Sequence, residues 1–379
     1  MKVLHVYRTY FPDSQGGLEE VIRQICLAAG GHGVTSRVFT LSQEPFPHTL
    51  PRVEADVVRV RKTFEIASCG FALTGMRRFA REVEWADIVH YHYPWPFSDM
   101  MYLIGGRKRP SILTYHSDIV RQQFLLSIYR PLMSRYLNAM DMIVATSPNY
   151  FATSEVLSEY ADKVEVIPIG LDEPSYPAMQ DQNRDLTAAR QKYSENFFLF
   201  VGVLRYYKGL HILLDAIQGA PYKVVIVGSG PVEKGLRQQA QRLGLDNVIF
   251  AGFVSDREKM ALFRLCRAVV FPSYLRSEAF GVTLLEGAMS ARPLISAEVG
   301  SGTSHVNIHG ETGLVVPPGD SAVLRAAMDE LHRDPRRARL MGQNARRRYE
   351  ELFTGGRMGE RYADAYRRIL AGHSNAVSA

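Results

Sequence analysis

Strand-like apolar runs alternate with helical patterns along the chain, and this alternation limits the possible folds more than any other feature. In the first half, the strand candidates are Val3–Tyr7, Ser36–Thr40, Asp56–Arg59, Ile88–Tyr91, Ser111–Thr114, Met142–Thr146 and Val164–Ile167. The second series is Phe197–Val201, Lys223–Val227, Val248–Ala251, Ala268–Phe271, Pro293–Ser296 and Gly313–Val315. Strands that alternate with helices predict an α/β fold with parallel, doubly wound sheets.

A length of 379 residues is enough for two domains, each with its own core. We predict a Rossmann-like domain over residues 1–171, a linker over 172–194 and a second Rossmann-like domain over 195–355. Residues 356–379 are predicted to form a helix that packs back on the first domain. Because ligands of open α/β sheets bind beyond the carboxyl ends of the strands, two facing domains predict a ligand in the cleft between them.

Composition indicates a cytoplasmic protein. The three cysteines are scattered, which favours a reducing compartment, and no apolar run is long enough to cross a bilayer. The first residues resemble a buried strand more than a signal peptide. The net charge of +6 is small and no recognition motif is present, which argues against a nucleic-acid-binding protein.

Basic residues are concentrated in residues 51–135, where 13 Lys or Arg face 8 Asp or Glu. Cationic side chains interleaved with aromatic ones suit peripheral contact with an anionic membrane. A solvated face beside ordinary core aromatics is the alternative. The residues concerned are Arg59, Arg61, Lys62, Arg77, Arg78, Arg81, Arg107, Lys108 and Arg109, with Phe71, Trp85, Trp95 and Phe97.

Two glutamates eight positions apart follow the strand candidate that ends at residue 271. Glu278 is predicted on a loop and Glu286 on the first turns of the next helix. Gly281 allows close backbone approach, and the amides of Val282 and Thr283 would point from the helix N-terminus toward a phosphate. Such a set suits a ligand with phosphates and hydroxyls, as in a nucleotide sugar. The alternative is that both glutamates are solvated surface residues.

Two further strand ends in the first half carry candidate ligand-binding groups. Gly16 and Gly17 lie between the first strand and a helix, where backbone amides could approach a phosphate or sugar, although taken alone the pair favours an ordinary tight turn. His116 follows the strand that ends at Thr114, and Asp118 could orient its ring. A packed structural histidine is the alternative.

Arg205 and Lys208 lie at the end of the first strand of the second half, where they could neutralise a diphosphate. The glycine spacing of a dinucleotide fingerprint is absent, because Glu233 stands where the third glycine of Gly228-Ser229-Gly230-Pro231 would fall. A nicotinamide or flavin cofactor is therefore disfavoured. No Asp-x-Asp metal motif occurs, so we predict a site without metal.

The order of these motifs along the chain is more informative than any one of them, and it resembles the retaining, GT-B-fold glycosyltransferases of family 4. Those motifs are Gly16-Gly17, His116, Gly202-Val203-Leu204-Arg205-Tyr206-Tyr207-Lys208-Gly209, Gly228-Ser229-Gly230-Pro231, the Glu-x7-Glu pair, and the segment 313–320. The segment 115–122 and the Tyr-Tyr-Lys-Gly form look similar to bacterial polysaccharide and O-antigen mannosyl- or rhamnosyltransferases. The resemblance implies two Rossmann-like domains facing across a cleft.

The resemblance implies a role for each matching residue. Glu278 would contact the donor sugar and support charge at the reacting centre, Glu286 would hold the ribose, and Lys208 would bind the diphosphate. His116 would contact the transferred sugar near its 6-position. The remaining donor-binding positions would be Gly16, Gly17, Arg205, Phe253, Val254, Phe280, Gly281, Val282 and Thr283.

Two positions depart from the family pattern. Val203 stands where many relatives carry an arginine, which Arg205 would replace. Ser301-Gly302-Thr303-Ser304-His305 stands where a Gly-Gly-x-x-Glu element is common, so the acid is missing.

The implied reaction moves a hexose, mannose or a deoxy relative such as rhamnose, to a glycan acceptor with retention of configuration. A GDP-sugar is favoured over a UDP-sugar, and the acceptor is expected on polyprenyl diphosphate at the cytoplasmic face of the membrane. Two alternatives share this architecture: a nucleotide-sugar epimerase and a non-catalytic nucleotide- or glycan-binding module.

Overall fold

A computed structural model of the chain describes residues 1–66, 69–72, 75–119, 123–178 and 184–377. The chain divides into two compact units, which we call unit 1 (Met1–Gly170 with Gly355–Ala379) and unit 2 (Leu171–Thr354). Within the described residues, no helix is both long enough and apolar enough to span a membrane.

The strands, in chain order, are β1 (Lys2–Val6), β2 (Thr35–Ser42), β3 (Thr49–Pro51), β4 (Asp56–Arg61), β5 (Phe64–Ile66), β6 (Cys69–Phe71), β7 (Ile88–Tyr93), β8 (Ser111–Tyr115), β9 (Met142–Ala145), β10 (Val164–Val166), β11 (Phe198–Val201), β12 (Val224–Val227), β13 (Val248–Gly252), β14 (Ala268–Phe271), β15 (Leu294–Ala297) and β16 (Gly313–Val316). The helices are α1 (Gly17–Gly30), α2 (Met76–Trp85), α3 (Pro96–Met101), α4 (Gln123–Ala139), α5 (Pro148–Thr153), α6 (Glu155–Ser158), α7 (Arg184–Tyr193), α8 (Leu210–Ala216), α9 (Glu233–Arg242), α10 (Asp256–Leu265), α11 (Val282–Met289), α12 (Thr303–Val306), α13 (Ser321–Arg333), α14 (Pro335–Leu352) and α15 (Gly355–Val377).

Unit 1 is built on an eight-stranded sheet with the order β10-β9-β8-β7-β1-β2-β4-β3, in which β3 alone runs antiparallel to its neighbour. A separate hairpin pairs β5 with β6. The strands next to the centre are almost wholly buried, β7 and β8 at every residue. Helices α1 and α15 pack against each other in this unit, so the C-terminal helix is part of the first Rossmann-like unit.

Unit 2 is built on a six-stranded, all-parallel sheet with the order β13-β12-β11-β14-β15-β16. Strands β11, β12, β14 and β15 are buried throughout, as expected for a parallel sheet covered on both faces. Chain order reverses at β11 and β14, which are neighbours in the sheet. That reversal is where open α/β sheets bind ligands, beyond the carboxyl ends of the strands.

The stretch 172–194, predicted as a linker, differs from that expectation. Residues 179–183 lie outside the described part, but 184–193 form the helix α7, which packs on α10 within unit 2. Leu186, Ala189 and Tyr193 are buried there, and the Tyr193 hydroxyl donates to Glu258. Because the segment is mostly polar, its sequence pattern did not indicate this amphipathic helix.

The short strands β3, β5 and β6 were not predicted from sequence, because three-residue segments carry almost no periodic signal. Of the 115–122 segment used for the family resemblance, residues 120–122 lie outside the described part of the chain.

Candidate functional site

In the loop that follows β14, the turn before α11 forms a helix N-terminus that has no side-chain cap. Gly281 is the N-cap residue and adopts φ 89° and ψ 73°, a left-handed conformation that disfavours side chains with a Cβ. A Cβ on Gly281 would also lie 3.0 Å from the Phe271 ring. The hydroxyl of Thr283 donates to the carbonyl of Val201 at 3.0 Å and so ties α11 to β11.

Glu278 and Lys208 form a buried ion pair beside this turn. Lys208 Nζ lies 2.5 Å from Glu278 Oε2, and the Ser273 hydroxyl donates to the same oxygen at 3.0 Å. The side chains are 12% and 10% exposed, and the Lys208 ammonium also lies 4.6 Å from the centre of the Phe271 ring. Because both described contacts fall on Oε2, Oε1 remains able to accept from a ligand hydroxyl.

Glycines allow the loops around Lys208 to approach each other closely. A Cβ on Gly209 would lie 1.9 Å from the Pro272 carbonyl, and one on Gly228 would lie 2.1 Å from the Gly202 carbonyl. All three glycines have positive φ. This crowding brings the loop after β11, which carries Lys208, against the loop after β14, which carries Glu278.

Glu286 lies on α11 as predicted, and its partner is a lysine that the sequence did not single out. Lys259 Nζ lies 2.8 Å from Glu286 Oε1 and 3.1 Å from Asp256. Burial opposes the charge of Lys259, but the ion pairs with Glu286 and Asp256 outweigh it and raise the pKa of the lysine. Glu286 is 4% exposed, so the cation offsets the cost of burying its carboxylate.

The other predicted donor-binding residues of unit 2 differ in exposure. Arg205 is exposed and begins a short helical turn, Tyr206–Lys208, and no ion-pair partner for it occurs among the described residues. Phe253 is 73% exposed directly after β13, whereas Val254 is buried. Phe280 is 3% exposed and packs on Phe353, so only its main chain could meet a ligand.

In the segment 301–305, where the chain departs from the family pattern, the last residue has a packing role. His305 packs edge-on against Phe353, with ring centres 5.3 Å apart. Burial and the nearby Arg348 lower its pKa to about 4, which keeps the ring neutral. A neutral, packed histidine therefore stands at the position where the family resemblance implied an acid.

In unit 1, the Gly16-Gly17 turn leads directly into α1. Gly17 is the first helical residue and has open space around its Cα, while Gly16 is extended. A Cβ on Gly16 would lie 2.7 Å from Glu19 Oε2, and Ser14 donates to the other oxygen of that carboxylate at 2.6 Å. The carboxylate of Glu19, 7% exposed, thus already lies at this helix N-terminus.

His116 lies just beyond β8 as predicted, but Asp118 does not orient its ring. Asp118 Oδ1 accepts from the hydroxyls of Tyr115 and Ser154, at 2.9 Å and 2.8 Å. His116 Nε2 instead lies 3.0 Å from Nδ1 of His92. The interpretation of an aspartate–histidine pair is therefore wrong, and a second histidine takes that role.

Four histidines of the described chain lie together at this end of the sheet, and only His116 among them was predicted from sequence. His92 Nε2 lies 3.1 Å from His5 Nδ1. The two ring nitrogens of His90 form hydrogen bonds with the hydroxyls of Tyr366 and Thr114. The sequence signal was the alternation His90-Tyr91-His92 at the end of a buried strand, which places both rings on one face.

Ring nitrogens of His5, His90 and His92 lie within 4.8 Å of one another, close enough to consider a metal. Five of those six nitrogens already have hydrogen-bond partners. Both nitrogens of His92 lie within 3.1 Å of a nitrogen of another histidine, so their lone pairs and N–H groups point at those rings and not at a shared centre. The arrangement favours a hydrogen-bonded chain over a metal site.

Two of the four aromatic residues of the predicted basic and aromatic surface, Trp95 and Phe97, are core residues, whereas Phe71 and Trp85 are partly buried. Trp95 and Phe97 are 0% and 2% exposed, and Trp85 packs under the Arg37 guanidinium at 4.1 Å. The rings of Trp95 and Phe97 therefore do not face solvent, which corrects the membrane-facing interpretation of these two residues. Apolar side chains of unit 1 that are exposed include Phe46, Val53, Ile104 and Ile128.

Two family descriptions match most of this chain between them. The family "Glycosyl transferases group 1" matches residues 182–348, and the family "Glycosyltransferase Family 4" matches residues 15–173. The first match contains Lys208, Glu278 and Glu286, and the second contains His92 and His116.

Similar proteins span the full length of the chain. It is 53% identical over 354 residues to the D-rhamnosyltransferase WbpZ of Pseudomonas aeruginosa, covering 93% of this chain and 92% of that protein. It is 46% identical over 374 residues to the O-antigen chain mannosyltransferase C of Escherichia coli, covering 99% and 100%.

Solved structures with lower identity share the fold. Sucrose-phosphate synthase from Thermosynechococcus elongatus superposes with a TM-score of 0.80 at 21% identity, covering 98% of this chain and 99% of that one. Anabaena HepE in complex with UDP and glucose superposes with a TM-score of 0.76 at 22% identity, covering 96% and 99%.

Proposed function

The chain belongs to glycosyltransferase family 4 and has the GT-B fold, and on this premise we propose that it transfers a mannose-series hexose from a GDP-sugar. The sugar would be mannose or its 6-deoxy relative rhamnose, and the product a bacterial cell-surface polysaccharide such as an O-antigen. Support comes from the two similar proteins, a D-rhamnosyltransferase and an O-antigen chain mannosyltransferase. Both are transferases, which gives no support to an epimerase or a non-catalytic module.

The observation that carries the site assignment is the Lys208–Glu278 pair beside the open N-terminus of α11. A bound diphosphate would attract Lys208 and the exposed Arg205, and the amides of Val282 and Thr283 would add the positive end of the helix. These groups would stabilise the negative charge that develops on the leaving diphosphate.

Glu278 would accept hydroxyl hydrogen bonds from the donor sugar through Oε1, while Lys208 and Ser273 hold Oε2. Glu286, held by Lys259, would accept from the ribose hydroxyls. Phe253 would contact the base from its exposed position after β13. In unit 1, His116 would contact the transferred sugar, and the amides at Gly16 and Gly17 would contact the donor.

We propose a front-face displacement with retention. The bond between the anomeric carbon and the diphosphate oxygen breaks, an oxocarbenium-like state forms, and the acceptor oxygen bonds on the same face. The acceptor proton passes to the leaving phosphate oxygen. Lys208 and the helix amides supply the positive charge for that step.

The acceptor would be a glycan on polyprenyl diphosphate, reached by peripheral contact with an anionic membrane. The candidate contact is now the segment around Ile104, which is 70% exposed and lies three residues before Arg107 and four before Lys108. Exposed apolar and cationic side chains together suit such a surface. Sedimentation with anionic and neutral vesicles at low salt tests this contact. Binding at background level to both kinds of vesicle would contradict it.

A thermal-shift series with GDP, UDP and ADP tests the donor base, because a ligand that binds only the native state raises its melting temperature. We expect GDP to give the largest shift. Nuclear magnetic resonance of the product formed from GDP-mannose or GDP-rhamnose then identifies the sugar and its anomer. A product with inverted anomeric configuration would contradict the proposed mechanism. A larger rise in melting temperature with UDP than with GDP would contradict the proposed donor.

A further inference from the structure

We propose that a buried chain of three histidines, His5, His92 and His116, fixes His116 as an Nδ1–H donor toward the hydroxyl of the donor sugar. His92 and His5 are then positioning residues, because they act through His116. The inference rests on the proposed function, since it takes His116 as the sugar contact.

The strand register of unit 1 places these rings on one face of the sheet. His5 on β1 pairs with His90 on β7, and Thr114 on β8 pairs with His92. Side chains two residues apart on a strand share a face, so His92 joins His90, and His116 continues the face from Thr114. The rings of His5, His92 and His116 follow one another edge to edge, with centres 5.4 Å and 5.2 Å apart and planes tilted by only 18° and 24°.

Hydrogen bonds join the three rings end to end. His5 Nδ1 lies 3.1 Å from His92 Nε2, and His92 Nδ1 lies 3.0 Å from His116 Nε2. All three residues are buried. Burial lowers the pKa of His5 and of His116 to about 3, and holds that of His92 well below its ordinary value. Each ring is therefore neutral and carries one N–H.

One N–H per ring leaves two arrangements of the chain. In the first, His116 donates inward, His92 donates to His5, and His5 Nε2 carries the last proton. In the second, His5 donates to His92, His92 donates to His116, and His116 carries its proton on Nδ1.

The inner end of the chain favours the second arrangement. His5 Nε2 is buried, and no hydrogen-bond partner for it occurs in the part of the chain that the structure describes. The first arrangement would leave an N–H there without an acceptor, whereas the second leaves a lone pair. Buried N–H groups without a partner are rarer in proteins than under-satisfied acceptors. All three rings should therefore be Nδ1–H tautomers, the minor form of free histidine.

The consequence for recognition is a directional contact. With Nε2 occupied by the N–H of His92, His116 offers only a donor to the ligand, so the contacted sugar oxygen must accept. A ring that is free to change tautomer could either donate or accept. Selecting one tautomer on binding would then cost part of the free energy gained from the hydrogen bond to the sugar.

The test reads the tautomers directly. Long-range proton–nitrogen correlation spectra of protein with isotope-labelled histidine distinguish Nδ1–H from Nε2–H rings, with single His→Asn variants to assign them. We expect His5, His92 and His116 to be Nδ1–H in the wild-type protein. An Nε2–H ring or a charged ring at any of the three positions overturns the proposal, as does a stoichiometric metal bound to the purified protein through His5 and His92.

A matched pair of variants tests the positioning role. In His92→Asn, the side-chain amide nitrogen takes the place of Nδ1 and can still donate to His116, whereas His92→Leu has similar size and no donor. We expect His116 to stay Nδ1–H in the first variant and become mixed in the second. Donor KM should rise about 3- to 10-fold in His92→Leu and recover in His92→Asn, with kcat less affected.

The two levels of the proposal fail separately. If the wild-type rings are Nδ1–H but His116→Ala leaves donor KM unchanged, the sugar contact of the proposed function is wrong and the positioning role falls with it. If His116→Ala raises donor KM but the wild-type rings are not Nδ1–H, the sugar contact stands and the histidine chain is wrong. Should His92→Leu fail to fold, the wild-type spectrum still decides.

Discussion

Lys208 Nζ and Glu278 Oε2 lie 2.5 Å apart and join the loops that follow β11 and β14, the two strands where the chain order of the unit 2 sheet reverses. Each group lowers the cost of burying the other. When a diphosphate binds, the lysine gains a second anionic partner, so the pair couples phosphate binding to the carboxylate that would contact the sugar.

Lys208→Met should reduce kcat/KM for donor by about 10²- to 10³-fold, because it removes a cation that stabilises the leaving diphosphate. It should also destabilise unit 2 by about 3 kcal/mol, since it leaves a buried carboxylate without its partner. Steady-state transfer assays and chemical denaturation measure the two effects. Lys234→Met, on the exposed side of α9, is the control and should change neither.

The double variant Lys208→Met/Glu278→Gln separates folding from catalysis. Removing both charges should restore most of the stability lost in Lys208→Met, because no unpaired buried charge remains. Transfer activity should stay low. Recovery of activity together with stability would show that the pair is only structural.

Lys259→Met should weaken GDP binding about tenfold, because the buried carboxylate of Glu286 loses the cation that holds it. Isothermal titration with GDP measures the loss. Lys192→Met, which breaks an exposed ion pair with Glu258, should leave the affinity for GDP within about twofold of the wild-type value.

Phe253→Ala should weaken nucleotide binding by about 1–3 kcal/mol if the exposed ring stacks on the base. The melting temperature without ligand should stay unchanged, because the ring is 73% exposed and contributes little to the core. Leu340→Ala removes another exposed apolar side chain, 56% exposed on α14, and should leave nucleotide affinity unchanged. If the wild-type protein, Phe253→Ala and Leu340→Ala bind the nucleotide with equal affinity, Phe253 does not contact the base.

Stability should fall as the pH drops from about 6.5 toward about 3, because burial lowers the pKa of His5 and His116 to about 3 from the ordinary 6.5. In that window the unfolded chain binds protons that the folded chain does not, so each such histidine contributes a slope of about 1.4 kcal/mol per pH unit. His5→Asn should therefore flatten the pH dependence of the unfolding free energy by about that amount. His32→Asn, at an exposed position, should not.

Much of the site was accessible from sequence because its residues follow strands directly. Glu278, Glu286 and Lys208 lie on the predicted loops and helix. Lys259 was missed because it lies 27 positions before Glu286, on an ordinary amphipathic helix. His5 was missed because it lies inside the strand candidate Val3–Tyr7, and His92 because it lies one residue beyond the strand candidate Ile88–Tyr91 with no motif around it.

The chain by itself determined the alternation of strands and helices, the glycine turns and the family to which it belongs, since these depend on local conformation and on motif order. Only the tertiary structure decided which side chains meet. Strand order placed β1, β7 and β8 side by side, and their shared register joined His5, His92 and His116 into one hydrogen-bonded chain. Pairing between strands more than 80 residues apart leaves no local pattern, so burial and partners could be known only once the sheet was formed.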